Sequence, residues 1–361
     1  MSRAFRIVFL PGDGIGKEVT AEAVRVLQAV EKRFPAIRLE RDERPAGAQC
    51  YLESGSDLPA ETWRACRAAD AIYLGAMGLP DVRRADGTEL APQLDLRRDL
   101  DLYAGVRPVY LFHEAHSPLK GYRAGQIDFV LVRESTEGLF VSRDRGIRVG
   151  NEVAVDSLVI TRRSTARVVR YAAQIALSRG KRRHLTCVDK ANVFGTYAFF
   201  RKVFDEALLE YSGVQGSRLY VDAAALHLVR TPEAFDVIVT ENMFGDILSD
   251  LAAGLVGGMG MAPSADIGNE HAVFQPAHGS APDIAGQGIA NPVAAILSAE
   301  MMLDYLAKKH GEAPLSEAAR AIRRAVESLF AATAKTTPDL GGSMTCAEVG
   351  RALCERIAGG A

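Results

Sequence analysis

Two aspartates four residues apart stand among apolar residues in the second half of the sequence. Asp246 and Asp250 would share one face of a helix, because residues at this spacing are neighbours there. The apolar neighbours are Phe244, Ile247, Leu248 and Leu251. Side-by-side carboxylates repel each other unless a cation lies between them, and hard oxygen ligands suit Mg²⁺ or Mn²⁺. A third carboxylate, Asp222, follows the strand-like residues 219–221, so the spacing leaves open a metal site or a solvated polar face.

Four basic residues lie near the ends of apolar runs. Arg97, Arg107 and Arg133 carry planar guanidinium groups, which bind carboxylates through paired hydrogen bonds. Together they would suit a di- or tricarboxylate, although each one alone is more typical of a surface. Lys190 follows an apolar run and would act as a base if it were partly desolvated. The alternative for Lys190 is an ordinary lysine at the start of a helix.

A glycine-rich turn and a loop led by a histidine are the remaining candidates. Residues 12–16 read Gly-Asp-Gly-Ile-Gly between a strand pattern and a helix pattern. This segment matches neither the dinucleotide fingerprint nor the P-loop, so alone it favours a tight turn. His278 opens a loop with more small residues than a spacer needs. His113 and His116 do not form the metal-binding H-E-x-x-H pattern, and both are predicted at the surface.

Alternating strands and helices must position these side chains. Runs of β-branched and aromatic residues predict buried strands, and apolar residues at helical spacing predict helices. The strands are predicted at 4–10, 70–75, 127–133 and 235–240, and the helices at 164–178 and 292–309. This order predicts an α/β fold. Residues 140–160 lack a helical period and contain short β-prone runs between glycines, which predicts a protruding β-arm for dimer contact.

Composition excludes several classes of protein. The 361 residues are 48% hydrophobic and 24% charged, which is ordinary for a globular chain and rules out disorder as the main state. A net charge of -2 leaves no excess of cations for nucleic acid or a membrane surface. No apolar stretch is long enough for a signal-peptide core or a membrane span. Five cysteines without a C-x-x-C pair predict reduced thiols in a cytoplasmic protein.

Taken together and in this order, these segments resemble the isocitrate/3-isopropylmalate dehydrogenase family of β-decarboxylating dehydrogenases. The resemblance runs from residues 10–16 to residues 337–342, and its most specific segments are 236–250 and 278–292. The sequence of the second half is similar to those of 3-isopropylmalate and homoisocitrate dehydrogenases.

The resemblance implies a two-domain fold around a cleft, distinct from the Rossmann fold. The first domain would comprise residues 1–102 and 257–361, and it would carry the cofactor loop. The second would comprise residues 103–256, with the dimer interface and the β-arm at 140–160. Active sites shared between two subunits are implied as well, so a homodimer would be required for catalysis.

The resemblance also implies a role for each candidate residue. Arg97, Arg107 and Arg133 would hold the carboxylates of a 2-hydroxy dicarboxylate. Asp246 and Asp250, with Asp222 from the other subunit, would hold Mg²⁺ or Mn²⁺. Lys190, also from the other subunit, would take the hydroxyl proton. The cofactor would contact Asn192, Gln275, His278, Gly279, Ser280, Ala281, Asp283, Ile284 and Asn291.

The choice of cofactor is predicted from charge. Asp283 and Ile284 stand where NADP-dependent members of the family carry Lys and Tyr. A carboxylate accepts hydrogen bonds from a ribose diol and repels a 2′-phosphate, so NAD is expected.

The segment before Arg97 should set the variable group of the substrate. Gln93 and Leu94 match two adjacent leucines of isopropylmalate-type members, and homoisocitrate types place an arginine at position 94. A third substrate carboxylate would be left unpaired beside Leu94, which favours a small or apolar group. We therefore expect oxidative decarboxylation of a 3-substituted (R)-malate, with 3-isopropylmalate as the best match. Tartrate, D-malate, isocitrate and homoisocitrate remain alternatives.

Two residues depart from the family pattern. Phe140 replaces a tyrosine thought to protonate the enol carbon, and Gln275 replaces a glutamate near the nicotinamide. These changes raise the alternative of a non-catalytic regulatory subunit. The complete set of arginines, aspartates and lysine favours an enzyme.

Overall fold

A ten-stranded sheet with helices on both faces forms the body of the computed structural model, which describes residues 3–85, 87–143 and 145–360. The strands are β1 (Ala4–Gly12), β2 (Arg38–Glu43), β3 (Ala71–Ala76), β4 (Ala104–Tyr110), β5 (Asp128–Glu134), β6 (Ile147–Val149), β7 (Val153–Val155), β8 (His184–Asp189), β9 (Gln215–Tyr220), β10 (Val237–Thr240), β11 (Pro263–Ile267) and β12 (Ala272–Pro276). The helices are α1 (Gly16–Arg33), α2 (Ala48–Ser54), α3 (Ala60–Ala68), α4 (Pro92–Asp99), α5 (Arg162–Arg179), α6 (Gly195–Leu208), α7 (Val221–Arg230), α8 (Asn242–Gly254), α9 (Val293–His310), α10 (Ala313–Ala332) and α11 (Cys346–Gly359). The predicted α/β fold is confirmed, and each predicted strand and helix is found within two residues of its predicted ends.

Neighbouring strands run parallel towards both edges of the sheet and antiparallel at its centre. Its strand order is β2-β1-β3-β12-β11-β4-β5-β10-β8-β9. The pairs β12–β11, β11–β4 and β4–β5 are antiparallel, and the other pairs are parallel. The pairing of β11 with β4 crosses the predicted boundary between domains, so the sheet is continuous there. The division into two domains stays a prediction.

The two faces of the sheet are covered differently. Successive residues of a strand point to opposite faces, and in β1 Ile7 and Phe9 join one apolar cluster while Val8 and Leu10 join another. The first cluster extends across most of the sheet, from β2 to β8. The opposite face carries two separate clusters, one on β1 and β3 and the other on β5 and β10. The central strands between those two clusters present polar side chains.

The predicted β-arm is a two-stranded hairpin. Strands β6 and β7 pair antiparallel within residues 140–160, after a short 3₁₀ turn at Leu139–Ser142. The four exposed aliphatic side chains of the hairpin are Ile147, Val149, Val153 and Val155. Of the helices in the described ranges, none is long and apolar enough to cross a membrane.

The prediction that His116 lies at the surface is wrong. His116 is buried, its ring packs edge-on against Phe330, and its Nε2 lies 2.8 Å from the carbonyl oxygen of Ala334. Burial lowers the pKa of this imidazole. His113 is half-buried, and its Nδ1 accepts a hydrogen bond from the backbone N–H of Ala115. Both histidines therefore have structural contacts, His113 within its own turn and His116 with a distant segment of the chain.

Candidate active site

A cavity of about 300 Å³ opens between the two separate apolar clusters, over the central strands. It is lined by Leu74, Gly75, Ala76, Met77, Gln93, Leu94, Arg97, Arg107, Arg133, Phe140, Asp246, Ser249, Asp250, Gln275, Pro276, Ala277, His278 and Gly279. Most of the side chains predicted to do chemistry therefore line one cavity. Those outside it are the lysine–aspartate pair, Asn192, the later part of the cofactor loop and Asn291.

The three arginines converge on this cavity from three elements. Arg97 lies in the last turn of α4, Arg107 on β4 and Arg133 on β5, and their exposed fractions are 8%, 7% and 2%. Such burial is unusual for arginine and costs free energy unless each charge is compensated. Burial and the neighbouring Arg97 lower the pKa of Arg133 to about 10. A pocket of three mutually repelling cations is suited to bind a ligand with two or more carboxylates.

Asp266 is the residue that the sequence analysis missed. This aspartate on β11 is 1% exposed and accepts a hydrogen bond from Arg97 Nε at 3.0 Å and another from Gln275 Nε2 at 2.9 Å. Arg107 Nη2 lies 3.8 Å from its other oxygen. Burial alone would raise the pKa of the Asp266 carboxyl, but the three arginines hold it below its usual value. The signal in the sequence is one acid between the apolar residues Ala265 and Ile267.

The aspartate pair lies on one face of α8, as predicted. The Glu241 side chain caps this helix by accepting hydrogen bonds from the N–H groups of Met243 and Phe244. Asp246 is half-exposed and forms an ion pair with Arg133 Nη1. Burial, followed by repulsion from Asp246, raises the pKa of Asp250. A cation between the two carboxylates would relieve this repulsion, so the pair fits a hard divalent metal ion.

The third predicted metal ligand lies elsewhere. Within the part of the chain that the structure describes, no three His, Cys, Asp or Glu side chains are grouped closely enough to hold a metal ion. Asp222, in the first turn of α7, accepts a hydrogen bond from Lys190 Nζ at 2.7 Å. The Lys190 side chain is 24% exposed and that of Asp222 is 68% exposed. This contact lowers the pKa of Asp222. One chain alone thus provides two of the three predicted metal ligands at the cavity.

The glycine turn packs against the predicted cofactor loop. The backbone N–H of Ile15 donates to the carbonyl oxygen of Ser280 at 2.8 Å. Gly14 has a φ of 51°, and a Cβ atom there would lie 2.0 Å from the same oxygen. Only glycine permits this contact, since any side chain would force the two segments apart. The tight-turn interpretation of residues 12–16 agrees with this packing.

Asp13 gives the same turn a second structural role. Its buried carboxylate accepts hydrogen bonds from the backbone N–H groups of Ala48, Gln49 and Gly78, at 2.7, 2.9 and 2.7 Å. Ala48 begins α2, so Asp13 satisfies donors at the N-terminus of that helix and ties the segment after β3 to it.

The predicted cofactor residues lie in different surroundings. His278 and Gly279 line the cavity, and Ser280 is buried behind it. Ala281 has a positive φ of 37°, where the loop turns outward. Asp283 is exposed, and its backbone carbonyl accepts a hydrogen bond from Gln287 Nε2.

Three further residues predicted to contact the cofactor differ in burial. Ile284 is half-buried and packs against the large apolar cluster. Asn291 is buried; its side chain donates to Asp339 and accepts from the N–H of Val293, so its polar atoms are engaged within the chain. Asn192 is exposed and does not line the cavity.

The substrate-specificity residues and Phe140 do line the cavity. The Arg133 guanidinium carbon lies 5.0 Å from the centroid of the Phe140 ring, within the range of a cation–π interaction. Gln93 and Leu94 lie in the first turn of α4. The Gln93 Oε1 atom is buried and has no hydrogen-bond partner among the described residues.

Comparison with known proteins identifies the class. The model of the isocitrate/isopropylmalate dehydrogenase family matches residues 6–353. The chain is 45% identical to the 3-isopropylmalate dehydrogenase of Moorella thermoacetica over 342 residues, covering 93% of each chain. It is 41% identical to the homoisocitrate dehydrogenase of Methanocaldococcus jannaschii, covering 98% of this chain and 97% of the relative. A solved isocitrate dehydrogenase from Methylococcus capsulatus superposes with a TM-score of 0.87 at 36% identity, over 98% of this chain and 99% of that one.

The chain belongs to the isocitrate/isopropylmalate dehydrogenase family. It is a decarboxylating dehydrogenase, an oxidoreductase. The relatives are named as enzymes, which favours the predicted enzyme over a regulatory subunit.

Proposed function

We propose that this enzyme oxidises and decarboxylates a 3-substituted (R)-malate with NAD and a divalent metal ion. The observation that carries the proposal is the convergence of three buried arginines and two aspartates on one small cavity. The arginines would bind the two carboxylates of the substrate through paired hydrogen bonds. The aspartates would hold Mg²⁺ or Mn²⁺ next to the 2-hydroxyl group. 3-Isopropylmalate is our first choice of substrate.

The chain's own residues would move the proton and fix the substrate. Lys190 of the partner subunit would take the hydroxyl proton as the C2 hydride leaves, and Arg97, Arg107 and Arg133 would hold the carboxylates in place. The 3-carboxylate then leaves as CO₂, its bonding electrons pass to C3, and C3 afterwards takes up a proton. NAD would accept the hydride, and a divalent ion would lower the hydroxyl pKa and stabilise negative charge on the oxygen at C2.

A second copy of the chain would supply Lys190 and Asp222. Support comes from the exposed apolar surface around this pair, which a free monomer would leave in water. The exposed apolar residues near the pair and on α7 and α8 are Val193, Phe194, Tyr220, Leu226, Val229 and Ile247. We propose that this surface and the hairpin form the dimer interface, and that the partner's Asp222 completes the metal site begun by Asp246 and Asp250.

NAD is the proposed cofactor because Asp283 is exposed on the cofactor loop, where a carboxylate would meet the ribose. The 2′-phosphate of NADP would face that negative charge. The loop lies next to the cavity, since His278 and Gly279 line it.

Tartrate is the second candidate substrate. The Gln93 Oε1 atom is a buried acceptor with no partner in the described part of the chain, and a substituent that donates a hydrogen bond would satisfy it. A 3-hydroxyl group does so, whereas an isopropyl group does not. Leu94, beside it on α4, favours the isopropyl group.

A substrate panel tests the proposal. Purified protein with NAD and Mn²⁺ is given 3-isopropylmalate, D-malate, tartrate, isocitrate and homoisocitrate, and NADH is followed by absorbance. We expect turnover of 3-isopropylmalate or tartrate, complete loss in EDTA and recovery with Mn²⁺. The Asp246→Asn variant should be inactive while remaining folded, because it removes a metal ligand and keeps a polar side chain at a half-exposed position. Absence of NADH with every substrate, or full activity in excess chelator, would refute the proposal.

A further inference from the structure

Asp266 links helix α4 to strand β12 beside the cavity. Its Oδ2 atom accepts from Arg97 Nε and from Gln275 Nε2, so one carboxylate oxygen fixes both side chains. Both donors line the cavity. The cluster is thus an arginine, an amide and an acid held in one fixed arrangement below the proposed substrate.

The backbone leaves room for this arrangement. Gly105 on β4 pairs with Asp266 on one side and with Arg133 on the other. A Cβ atom at Gly105 would lie 2.6 Å from Ser135 Oγ and 3.2 Å from Asp266 Oδ1. The missing side chain therefore leaves space on the middle strand for the Ser135 hydroxyl and the Asp266 carboxylate.

The two arginines beside Asp266 are held unequally. Arg97 donates a hydrogen bond to it at 3.0 Å, whereas Arg107 lies at 3.8 Å, beyond hydrogen-bond distance. The Asp266 Oδ1 atom is buried, and none of the residues that the structure describes forms a hydrogen bond with it. Arg97 is thus fixed at Nε, with its Nη atoms directed away from that contact. Arg107 is free to turn toward a ligand without breaking a hydrogen bond to the acid.

Gln275 is oriented by the same acid. Its Nε2 must face Asp266, since only the amide nitrogen donates to a carboxylate. The amide oxygen then points away from Asp266. A glutamate at position 275 would bring a second carboxylate against the first, so this pair of positions accommodates one negative charge and not two.

We propose that Asp266 is a positioning residue for substrate binding. It orients Arg97 and Gln275, and its negative charge offsets part of the mutual repulsion of the three arginines. This inference rests on the proposed function, because the group that these side chains would position is the dicarboxylate substrate. The alternative is that Asp266 only neutralises charge for folding.

Moving the negative charge from position 266 to position 275 distinguishes a positioning role in substrate binding from charge neutralisation for folding. The variants are Asp266→Asn, Gln275→Glu and the double variant Asp266→Asn/Gln275→Glu, in which the acid moves to the neighbouring strand. Asp236→Asn is the matched control, because Asp236 is equally buried, accepts from Arg179 at 3.0 Å and does not line the cavity. Binding of D-malate is measured by calorimetry, turnover by NADH formation, and folding by thermal unfolding.

We expect Asp266→Asn to lose affinity for D-malate and the added Gln275→Glu change to restore it. Asp266→Asn should weaken D-malate binding and raise KM for the substrate by about 10- to 100-fold, because a charged hydrogen bond to Arg97 is lost. The fold-change in kcat should be smaller than that in the substrate KM. The double variant should recover most of the affinity. Asp236→Asn should lower the melting temperature and leave KM unchanged.

Two results would overturn the inference. One is an unchanged D-malate affinity in a folded Asp266→Asn variant. The other is a double variant that folds but binds no better than Asp266→Asn. Neither depends on turnover: absence of NADH from the wild type would count against the proposed function, whereas the affinities decide the role of Asp266.

Discussion

Phe140 presents an aromatic ring, but no proton, to the proposed substrate. It lines the cavity, and its ring lies beside the Arg133 guanidinium. A protein that removes CO₂ must return a proton to the enol carbon, and Phe140 cannot give one. Water or a neighbouring side chain would then have to do so less well.

The Phe140→Tyr variant tests this consequence. General acid assistance is worth about 10²- to 10⁴-fold when a group is well placed. We expect Phe140→Tyr to raise kcat on the true substrate and to clear an enol intermediate that accumulates in the wild type. Pre-steady-state kinetics provide the measurement, with Phe140→Leu as the control that removes the ring alone. A wild type limited by hydride transfer, with a full isotope effect at C2, would show that Phe140 serves specificity.

Asp283 is the residue on which cofactor preference is predicted to depend. We expect the wild type to prefer NAD over NADP by about tenfold or more, which corresponds to about 1.4 kcal/mol of repulsion and lost ribose bonding. Asp283→Lys should narrow this difference without changing the melting temperature, because the side chain is exposed. The ratio of kcat/KM for the two cofactors is the measurement. Equal use of both by the wild type would contradict the assignment.

At the scale of secondary-structure elements, β5 ends at Glu134, a buried acid through which the stability of the fold is expected to depend on pH. Burial raises the pKa of Glu134 to about 7, although Thr136 and the N–H of Glu137 donate hydrogen bonds to it. The folded state therefore keeps its proton at pH values where the unfolded chain has lost it. Stability from this group is greatest below the unfolded pKa of 4.5 and falls as pH rises toward 7.

We expect the contribution of Glu134 to the free energy of unfolding to fall by about 3 kcal/mol between pH 4.5 and 7. The Glu134→Gln variant should flatten the corresponding part of the melting-temperature profile between pH 5 and 8, since it cannot ionise. Glu355→Gln, at an exposed position on α11, is the matched control and should keep the wild-type slope. Parallel profiles for wild type and Glu134→Gln would show that Glu134 does not titrate in this range.

Much of the fold and of the cavity was predictable from the sequence at this scale. Arg107 and Arg133 were predictable because each lies near the end of an apolar run, and a guanidinium group there is suited to bind a carboxylate. Asp266 was missed because its main partner, Arg97, is 169 residues away in the chain. His116 was misplaced because a ring that packs on Phe330 leaves no periodic signal. Both failures concern contacts between distant segments.

At the scale of the whole molecule, the proposed dimer would build each site from two chains. We expect Asp246→Asn and Lys190→Ala to be inactive separately and to regain activity when the chains are mixed and reassembled. A mixed dimer would contain one intact site, so random reassembly should give about one quarter of wild-type activity.

The control for this complementation places both changes in one chain. Asp246→Asn/Lys190→Ala mixed with Asp246→Asn should give no activity, because every cavity then lacks an aspartate. If mixed dimers of the two single variants form but remain inactive, Lys190 acts within its own chain and the shared site is wrong.

The contact between the glycine turn and Ser280 has a consequence for protein engineering. A designer who grafts another cofactor loop onto this scaffold must keep the backbone path at residue 280, because Gly14 and Ile15 fit against its carbonyl oxygen. Pro282 and Asp283 are exposed, so they can be substituted without disturbing the contact at residue 280. Cofactor preference and scaffold integrity are therefore separable within one short loop, and mutant libraries should begin after its buried serine.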